Sequence, residues 1–266
     1  MEIIDRGKGT PIVLVPGIQG RWEWMKPAVD ALATRARVIT FSLADEPTCR
    51  GTFDAANGFS CYVEQVTQAL DQAGIERAVI GGVSYGGPIA AAFAAHHSDR
   101  TSALVLVSAL PPTWTPDARA NLFLRAPRVL SPLFFIATLR MYPEIVAATP
   151  GFLAPIGAAV EHGWRALTNL VSPMRVARRV RMLEPTEGLG DVHVPTLVIT
   201  GESALDRVVP VHGTREYLRL WPHARHVTIE RTGHLGLVTR PHRFAEIMMN
   251  FVDEALQESG QRRRIG

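Results

Sequence analysis

The chain has 266 residues, 47% of them hydrophobic, and a formal net charge of +3. This length and composition allow one α/β domain, or one domain with an inserted subdomain, around a sizeable core. No apolar run reaches the roughly 18 residues of a membrane-spanning helix, and the first residues lack the basic and apolar regions of a secretory signal, so neither a transmembrane segment nor a membrane partner is predicted.

Cysteine spacing and the placement of charge exclude further classes. Cys49 and Cys61 form no Cys-x-x-Cys motif and have no nearby histidine pair. No metal site and no cofactor are therefore predicted, and reduced thiols in a cytoplasmic protein are expected. Residues 112–186 carry nine arginines and four acidic residues, and residues 262–264 are three further arginines. A nucleic-acid-binding protein would usually show a stronger basic stripe with interleaved aromatic residues, so no nucleic acid partner is predicted.

Apolar, β-branched runs recur along the chain at intervals that helical patterns fill. Fully apolar runs of this kind are typical of strands that are buried on both faces of a parallel sheet. Residues 2–4 are the one candidate for a strand that precedes the first of these runs. The other predicted strands cover residues 12–15, 37–41, 78–80, 103–107, 196–200 and 226–229.

Helical spacing appears between the predicted strands. The predicted helices cover residues 25–36, 62–73, 88–95, 214–220 and 241–256. Strands that alternate with helices imply a mostly parallel sheet covered by helices on both faces. The predicted fold class is therefore α/β.

The alternation lapses between Pro111 and Pro185. This stretch is rich in proline, arginine and bulky apolar residues, and it has helical spacing in places without a convincing strand. It is therefore predicted to be a helical lid, inserted after the strand at residues 103–107. The predicted division is 1–111 and 187–260 for the core, 112–186 for the lid and 261–266 for a basic, solvated C-terminal tail.

The stretch from Gly81 to Gly87 joins a predicted strand to a predicted alanine-rich helix. Within it, Gly82, Ser84 and Gly86 fit the nucleophile-elbow pattern Gly-x-Ser-x-Gly. A sharp strand-to-helix turn holds the serine in a strained backbone region, and residues without a Cβ let the two elements approach closely. The N–H groups and dipole at the helix start favour developing negative charge. Ser84 is therefore the predicted nucleophile.

A serine hydroxyl needs a base within hydrogen-bond reach, and that base needs an orienting acid. His234 is the predicted base, because it follows the last predicted strand and lies two residues from one glycine and next to another. The acid is expected in the loop after the strand at residues 196–200, which offers Glu202 and Asp206. Asp206 is favoured, because it lies just before Pro210, where a short carboxylate can be held rigidly. Glu202 directly follows the strand and could instead cap the loop.

With these residues in place, the chain resembles the α/β-hydrolase family over nearly its full length. The resemblance is carried by the elbow, by the order Ser84, Asp206, His234, by the run from Val194 to Gly201, and by Gly-His-Leu near the end. The family includes dehalogenases and epoxide hydrolases that use an aspartate nucleophile, which a serine at position 84 argues against. Carboxylesterases, lactonases, C–C bond hydrolases and cofactor-free perhydrolases or haloperoxidases remain.

The family resemblance also implies an oxyanion hole made of two backbone N–H groups. One belongs to the residue after the nucleophile, here Tyr85, and the other is assigned by position to Ile18. Family members often have His-Gly at the start of that second loop, where this chain has Pro16-Gly17. Because the hole uses backbone groups, it does not need the histidine side chain.

Three functions are weighed, each with a small-molecule partner. The first is a serine hydrolase of a small or medium, largely apolar carboxylic ester, with Trp22, Trp24, Tyr85, Phe134 and Phe135 as candidate pocket residues. The second is a lactonase or C–C bond hydrolase with the same three catalytic residues, in which arginines of the lid could meet a substrate carboxylate. The third is a slow-turnover ligand receptor on the same fold, which an intact Ser-Asp-His set argues against.

Overall fold

A computed structural model of the chain describes residues 1–131, 139–149, 154–169, 171–184, 190 and 192–265. Its centre is a seven-stranded sheet with the strand order β1-β3-β2-β4-β5-β6-β7. The strands are β1 (Ile3–Arg6), β2 (Pro11–Val15), β3 (Arg37–Phe41), β4 (Ala78–Val83), β5 (Thr101–Val107), β6 (Thr196–Thr200) and β7 (Arg225–Thr228). The apolar runs of the sequence therefore form the strands.

The register of the sheet places the ends of its central strands along one edge. Strand β1 pairs antiparallel with β3, whereas the pairs from β3 through β2, β4, β5 and β6 to β7 are parallel. At the carboxyl end of β4, Val83 lies opposite Val107 of β5. In open parallel sheets, ligands bind outside the carboxyl ends of the strands, so this edge is where a functional site is expected.

Helices cover both faces of the sheet and create two apolar cores. They are α1 (Lys26–Leu32), α2 (Ser60–Gln72), α3 (Gly86–His96), α4 (Ala118–Arg125), α5 (Tyr142–Ala148), α6 (Ala154–Thr168), α7 (Pro173–Met182), α8 (Val211–Thr214), α9 (Tyr217–Leu220), α10 (Gly236–Thr239) and α11 (Pro241–Ile265). Helices α2 and α3 pack on one face, and α1 and α11 pack on the other. Cys49 and Cys61 are buried and not bridged.

Short 3-10 helices complete the described elements. They are Trp22–Met25, Pro47–Cys49, Ala55–Asn57 and Leu139–Met141. Among the residues that the structure describes, no helix is both long enough and apolar enough to cross a membrane.

The predicted α/β class with a mostly parallel sheet is confirmed, and several element bounds differ from the prediction. The helix predicted over residues 25–36 is a 3-10 helix followed by α1, which begins at Lys26 because Pro27 fits only the first turn of a helix. The helix predicted over residues 214–220 is two short helices, α8 and α9, and the last helix continues to Ile265.

The segment between β5 and β6 contributes helices α4 to α7 to the described structure. This is the segment predicted to be a helical lid, residues 112–186. Two of its helices reach the carboxyl edge of the sheet, because the side chain of Glu144 on α5 contacts Leu235 and that of Arg179 on α7 contacts Ile18. The candidate pocket residues Phe134 and Phe135 lie outside the described residues.

Candidate active site

Ser84 lies at the turn between β4 and α3, with a backbone φ of +53°. A non-glycine residue in this left-handed region is uncommon and strained. The turn is held by hydrogen bonds from the N–H of Ser84 to the carbonyl of Val107 at 2.8 Å and from the N–H of Gly87 to the carbonyl of Ser84 at 3.0 Å. Ser84 is buried, with 7% of its surface exposed. This is the backbone geometry expected of a nucleophile elbow.

The glycines of the elbow allow backbone contacts that a side chain would block. A Cβ on Gly82 would lie 2.1 Å from the carbonyl oxygen of Gly86. A Cβ on Gly86 would lie 2.5 Å from the carbonyl oxygen of Val15. Strand β4 therefore meets helix α3 and the end of β2 at distances that only glycine permits.

His234 and Asp206 lie together at the same edge, in the loops after β7 and β6. The Nδ1 atom of His234 is 3.4 Å from Oδ2 of Asp206, and both residues are buried, at 6% and 7% exposure. This distance is at the long end for a hydrogen bond, as catalytic contacts often are before a substrate binds. The other oxygen, Oδ1, accepts from the N–H groups of Val208 and Val209, each at 3.0 Å. The carboxylate is thus fixed on one side and turned toward the imidazole on the other.

The alternative acid, Glu202, is bonded to the backbone of a neighbouring loop. Its Oε1 accepts from the N–H of Arg231 at 2.7 Å, and its own N–H donates to the carbonyl of Thr232 at 2.7 Å. Glu202 therefore ties the loop after β6 to the segment that leads to His234. The hydrogen bonds given to the two carboxylates favour Asp206 as the partner of the imidazole.

The two residues predicted to form the oxyanion hole lie beside Ser84. Tyr85 is fully buried and directly precedes α3. A Cβ built on Gly17 would lie 3.4 Å from the Cβ of Ser84, so the loop that carries Ile18 passes next to the nucleophile. This loop is a tight turn in which the N–H of Gly20 donates to the carbonyl of Gly17 at 2.9 Å. Burial raises the pKa of the Tyr85 hydroxyl well above its usual value.

The predicted pocket tryptophans lie in the 3-10 helix that follows this turn. Both rings are partly buried. The Arg6 guanidinium lies 5.3 Å from the ring centre of Trp22, which also lines a cleft of about 120 Å³ beside β1. The helix contacts α10, which follows His234. The ring of Trp22 therefore contacts Arg6 and the cleft beside β1, and its role as a pocket residue stays a prediction.

The structure brings Glu144, which the sequence analysis did not single out, to the loop of His234. Its Oε1 accepts from the N–H of Leu235 at 2.5 Å, and its Oε2 is buried with no hydrogen-bond partner among the described residues. Burial raises the pKa of this carboxyl to about 7, against the lowering effect of backbone hydrogen bonds and of His234. No local sequence pattern indicates this contact, because Leu235 is 91 positions away.

From the sequence, Arg179 is one of nine lid arginines, for which a solvated basic face is the more expected role and contact with a substrate carboxylate the alternative. The structure contradicts both interpretations for this residue, which is fully buried. Its guanidinium pairs with Asp45 at 2.6 Å and Glu46 at 2.6 Å, and Nη1 donates to the carbonyl of Ile18 at 2.7 Å. Asp45 and Glu46 are 134 and 133 positions from Arg179 in the chain. Two acidic residues after a predicted strand are a common pattern, so the sequence does not indicate this cluster.

The described residues give no indication of a metal site. No group of three or more histidine, cysteine, aspartate or glutamate side chains in this part of the chain is arranged to hold a metal ion. The groups that the candidate site brings to one edge of the sheet are a hydroxyl, an imidazole, a carboxylate and backbone N–H groups.

Comparisons with known proteins agree with this fold. A sequence model of the alpha/beta hydrolase family matches residues 12–247. The chain is 27% identical over 260 residues to the candidate carbamate hydrolase RutD of Azorhizobium caulinodans, covering 93% of each chain. It is 26% identical over 258 residues to the pimeloyl-[acyl-carrier protein] methyl ester esterase of Vibrio atlanticus, covering 93% of this chain and 96% of that one. An esterase from Exiguobacterium antarcticum has a similar solved structure, with a TM-score of 0.78, 17% identity and 94% coverage of both chains.

Proposed function

Because the chain belongs to the α/β-hydrolase family, we propose that it is a serine hydrolase of a small or medium, largely apolar carboxylic ester, acting through an acyl-enzyme. The observation that carries the proposal is the strained turn at Ser84 on the same sheet edge as the buried His234–Asp206 pair. A strained serine at the same sheet edge as a base that has its own acid supports nucleophilic catalysis, which needs these three groups together. The two curated relatives described above, named as a carbamate hydrolase candidate and a methyl ester esterase, support an acyl or carbamoyl substrate.

In the first half of the proposed reaction, the Oγ atom of Ser84 attacks the ester carbonyl carbon while Nε2 of His234 takes the hydroxyl proton. Asp206 accepts from Nδ1–H of the imidazole, which keeps Nε2 unprotonated before the attack and stabilises the imidazolium after it. The N–H groups of Ile18 and Tyr85 bind the oxyanion of the tetrahedral intermediate, and such a donor typically contributes about 3 kcal/mol.

In the second half, the C–O bond of the ester breaks and His234 gives its proton to the leaving alcohol. The acyl group is then bonded to Ser84. A water molecule attacks this acyl-enzyme while His234 takes one of its protons, and collapse of the second intermediate releases the carboxylic acid and restores the serine hydroxyl. The reaction consumes one water and needs no other reactant.

We also propose that residues 112–186 act as a lid over this site. The support is that α5 and α7, both within this segment, contact the loops of His234 and Ile18 through Glu144 and Arg179. A lid in this place would limit the bulk solvent around the reacting groups and supply part of the apolar pocket, while still admitting the water that deacylation needs. Trp22 and Trp24, next to the Ile18 loop, stay the candidate pocket residues from the core.

The test of the proposed function is the hydrolysis of p-nitrophenyl acetate and butyrate by the wild type and by Ser84→Ala. We expect the variant to lose about 10⁵-fold or more in kcat, because removing a serine nucleophile leaves only binding and oxyanion stabilisation. Ser98→Ala, at an exposed serine beyond the far end of α3, is the matched control and should keep wild-type rates. Equal rates for the wild type and Ser84→Ala would remove the assignment.

A lactone is a cyclic ester, so the same catalytic residues could open its ring. Hydrolysis rates for a panel of p-nitrophenyl esters and lactones distinguish an esterase from a lactonase. In the lactonase or C–C bond alternative, arginines of the lid could meet a substrate carboxylate, and two of the nine, Arg175 and Arg179, are bonded to acids of the chain instead. If the chain is a slow-turnover receptor, a fluorophosphonate should not label Ser84. If it is an ester hydrolase, a lactonase or a C–C bond hydrolase, the reagent should label Ser84.

A further inference from the structure

Arg179 connects the inserted helices to both residues of the predicted oxyanion hole. Its Nη1 donates to the carbonyl oxygen of Ile18 at 2.7 Å, and its own carbonyl accepts from the hydroxyl of Tyr85 at 3.0 Å. Arg179 lies on α7, and it is 161 positions from Ile18 and 94 from Tyr85. One residue of the insertion is thus bonded to two separate parts of the sheet edge.

The hydrogen bond from Arg179 fixes a peptide group next to the predicted oxyanion donor. The N–H of Ile18 belongs to the peptide that joins it to Gly17, and the carbonyl of Gly17 accepts from Gly20 at 2.9 Å. The next peptide carries the carbonyl of Ile18, which accepts from Arg179. Because the peptides are planar, two consecutive anchors set the dihedral angles of Ile18 and with them the direction of its N–H.

The guanidinium of Arg179 is held between the backbone of Gly20 and the carboxylates of Asp45 and Glu46. A Cβ on Gly20 would lie 2.3 Å from Nη1 and Nη2 of Arg179, so the planar group lies flat against a glycine with a φ of +77°. Asp45 accepts from Nε at 3.0 Å and from Nη2 at 2.6 Å, and Glu46 accepts from Nη2 at 2.6 Å. The planar fork of an arginine can make these bonds together, whereas a lysine cannot.

We propose that Arg179 is a positioning residue that sets the oxyanion hole, by holding the carbonyl of Ile18 and accepting from Tyr85. Its effect on catalysis rests on the proposed function, but its effect on the loop at residues 17–20 does not. Because this contact comes from the insertion, α7 must be docked on the core for the hole to have its final geometry. The insertion then contributes to the chemical step as well as to the pocket.

The experiment compares Arg179→Met with Arg175→Met, a matched control on the same helix. Arg175 also pairs with Glu46, at 3.0 Å, and it is not bonded to Ile18. We expect Arg179→Met to increase hydrogen–deuterium exchange at residues 17–20 at least about tenfold, and to lower kcat for p-nitrophenyl butyrate about 100-fold, as loss of an oxyanion donor does. KM should change less than about threefold, and Arg175→Met should change neither kcat nor exchange more than about threefold.

Arg179→Met removes the ion pair of the buried Asp45 carboxylate and leaves Glu46 paired with Arg175 alone, and it could therefore unfold the protein. The variant Arg179→Met/Asp45→Asn/Glu46→Gln removes those charges together, and Arg179→Lys keeps the charge without the planar fork. If Arg179 positions the loop, both variants keep a low kcat even where the melting temperature returns to the wild-type value. A kcat that recovers with stability, or unchanged exchange at residues 17–20, would overturn the inference.

The exchange measurement keeps the two proposals separate. If the wild type hydrolyses no ester and Ser84→Ala is indistinguishable from it, the proposed function fails. In that case, hydrogen–deuterium exchange at residues 17–20 can still be compared between Arg179→Met and Arg175→Met. This comparison decides whether Arg179 holds the loop. If the wild type hydrolyses esters and Arg179→Met matches Arg175→Met in both measurements, the positioning role alone fails.

Discussion

The two oxygens of the Asp206 carboxylate have different partners. Oδ1 accepts from two backbone N–H groups, and Oδ2 faces Nδ1 of His234. An asparagine would keep the first set of bonds through its carbonyl oxygen, but it would present an NH₂ group to the imidazole. The histidine would then accept at Nδ1 and carry its proton on Nε2, where it could not take the proton of Ser84.

We therefore expect Asp206→Asn to lower kcat by about 10⁴-fold with little change in KM. The measurement is steady-state hydrolysis of p-nitrophenyl butyrate. Glu202→Gln is the matched control, because its amide oxygen can still accept from the N–H of Arg231, and it should change kcat less than about threefold. The opposite ranking of the two variants would make Glu202 the acid.

Glu144 leads to a prediction about stability and pH. Burial raises the pKa of its carboxyl from an ordinary 4.5 to about 7 in the folded protein. At a pH between these two pKa values, the carboxyl of Glu144 is deprotonated in the unfolded chain but still protonated in the folded protein. The contribution of Glu144 to stability is therefore fully present below pH 4.5, is lost as the pH rises to about 7, and stays lost above it. The full change is about 3 kcal/mol.

Glu144→Gln removes this proton and keeps an oxygen that can accept from Leu235. We expect the difference in unfolding free energy between variant and wild type to shift in favour of the variant by about 3 kcal/mol from pH 4.5 to pH 8. Urea unfolding of both proteins at four pH values in this range measures it. Because every other titrating group is common to both proteins, a difference that does not depend on pH would contradict the prediction.

At the scale of elements, the strand-to-helix turn depends on how closely α3 approaches β2. A Cβ on Gly86 would lie 2.5 Å from the carbonyl of Val15 and 2.6 Å from that of Pro16. Backbone atoms cannot move away as a side chain can, so we expect Gly86→Ala to lower the unfolding free energy by about 2–3 kcal/mol. Gly157 on α6 has nothing within 4 Å of its Cβ position, so Gly157→Ala should stabilise by about 0.5–1 kcal/mol. Urea unfolding measures both, and equal effects would contradict this account.

The elements that the sequence predicted well are those with a local signal. Buried parallel strands are continuous apolar runs, and the turn at Ser84 has its own glycine pattern, so both follow from neighbouring residues. The preference for Asp206 over Glu202 as the acid has a weaker local signal, because the choice depends on the packing of two loops that are distant in the chain. The distances of Asp206 to His234 and of Glu202 to Arg231 separate the two candidates, although the roles of both residues stay predictions.

Two buried contacts at the site that the sequence did not predict join the insertion to the core. Glu144 bonds a residue 91 positions away, and Arg179 bonds residues 133 to 161 positions away. Such contacts have no sequence period, and charged residues in an arginine-rich segment are expected at the surface. Their burial becomes evident only when α5 and α7 lie against the sheet edge.

At the scale of the whole molecule, the ion cluster of Arg179, Asp45 and Glu46 joins the insertion to the core. The side chains of Arg179 and Asp45 are fully buried. Burial raises the pKa of Asp45, in spite of the adjacent guanidinium, which lowers it. At Asp45 desolvation therefore outweighs the attraction, whereas, against the lowering effect of burial, the carboxylates raise the pKa of Arg179, and we expect the cluster to contribute more to the specificity of docking than to net stability. Removal of one partner nevertheless leaves a buried charge without compensation, which is strongly destabilising.

We therefore expect Asp45→Ala to lower the unfolding free energy by about 3 kcal/mol, and this loss should change little between 0.05 and 0.5 M NaCl, roughly the range over which exposed pairs are screened. Asp253→Ala is the matched control, because Asp253 pairs with Arg35 at 3.4 Å and both side chains are about half exposed. Its effect should stay below about 1 kcal/mol and fade with salt. Urea unfolding measures both losses. If Asp45→Ala behaved like Asp253→Ala, the pair of Asp45 and Arg179 would have no part in docking the insertion.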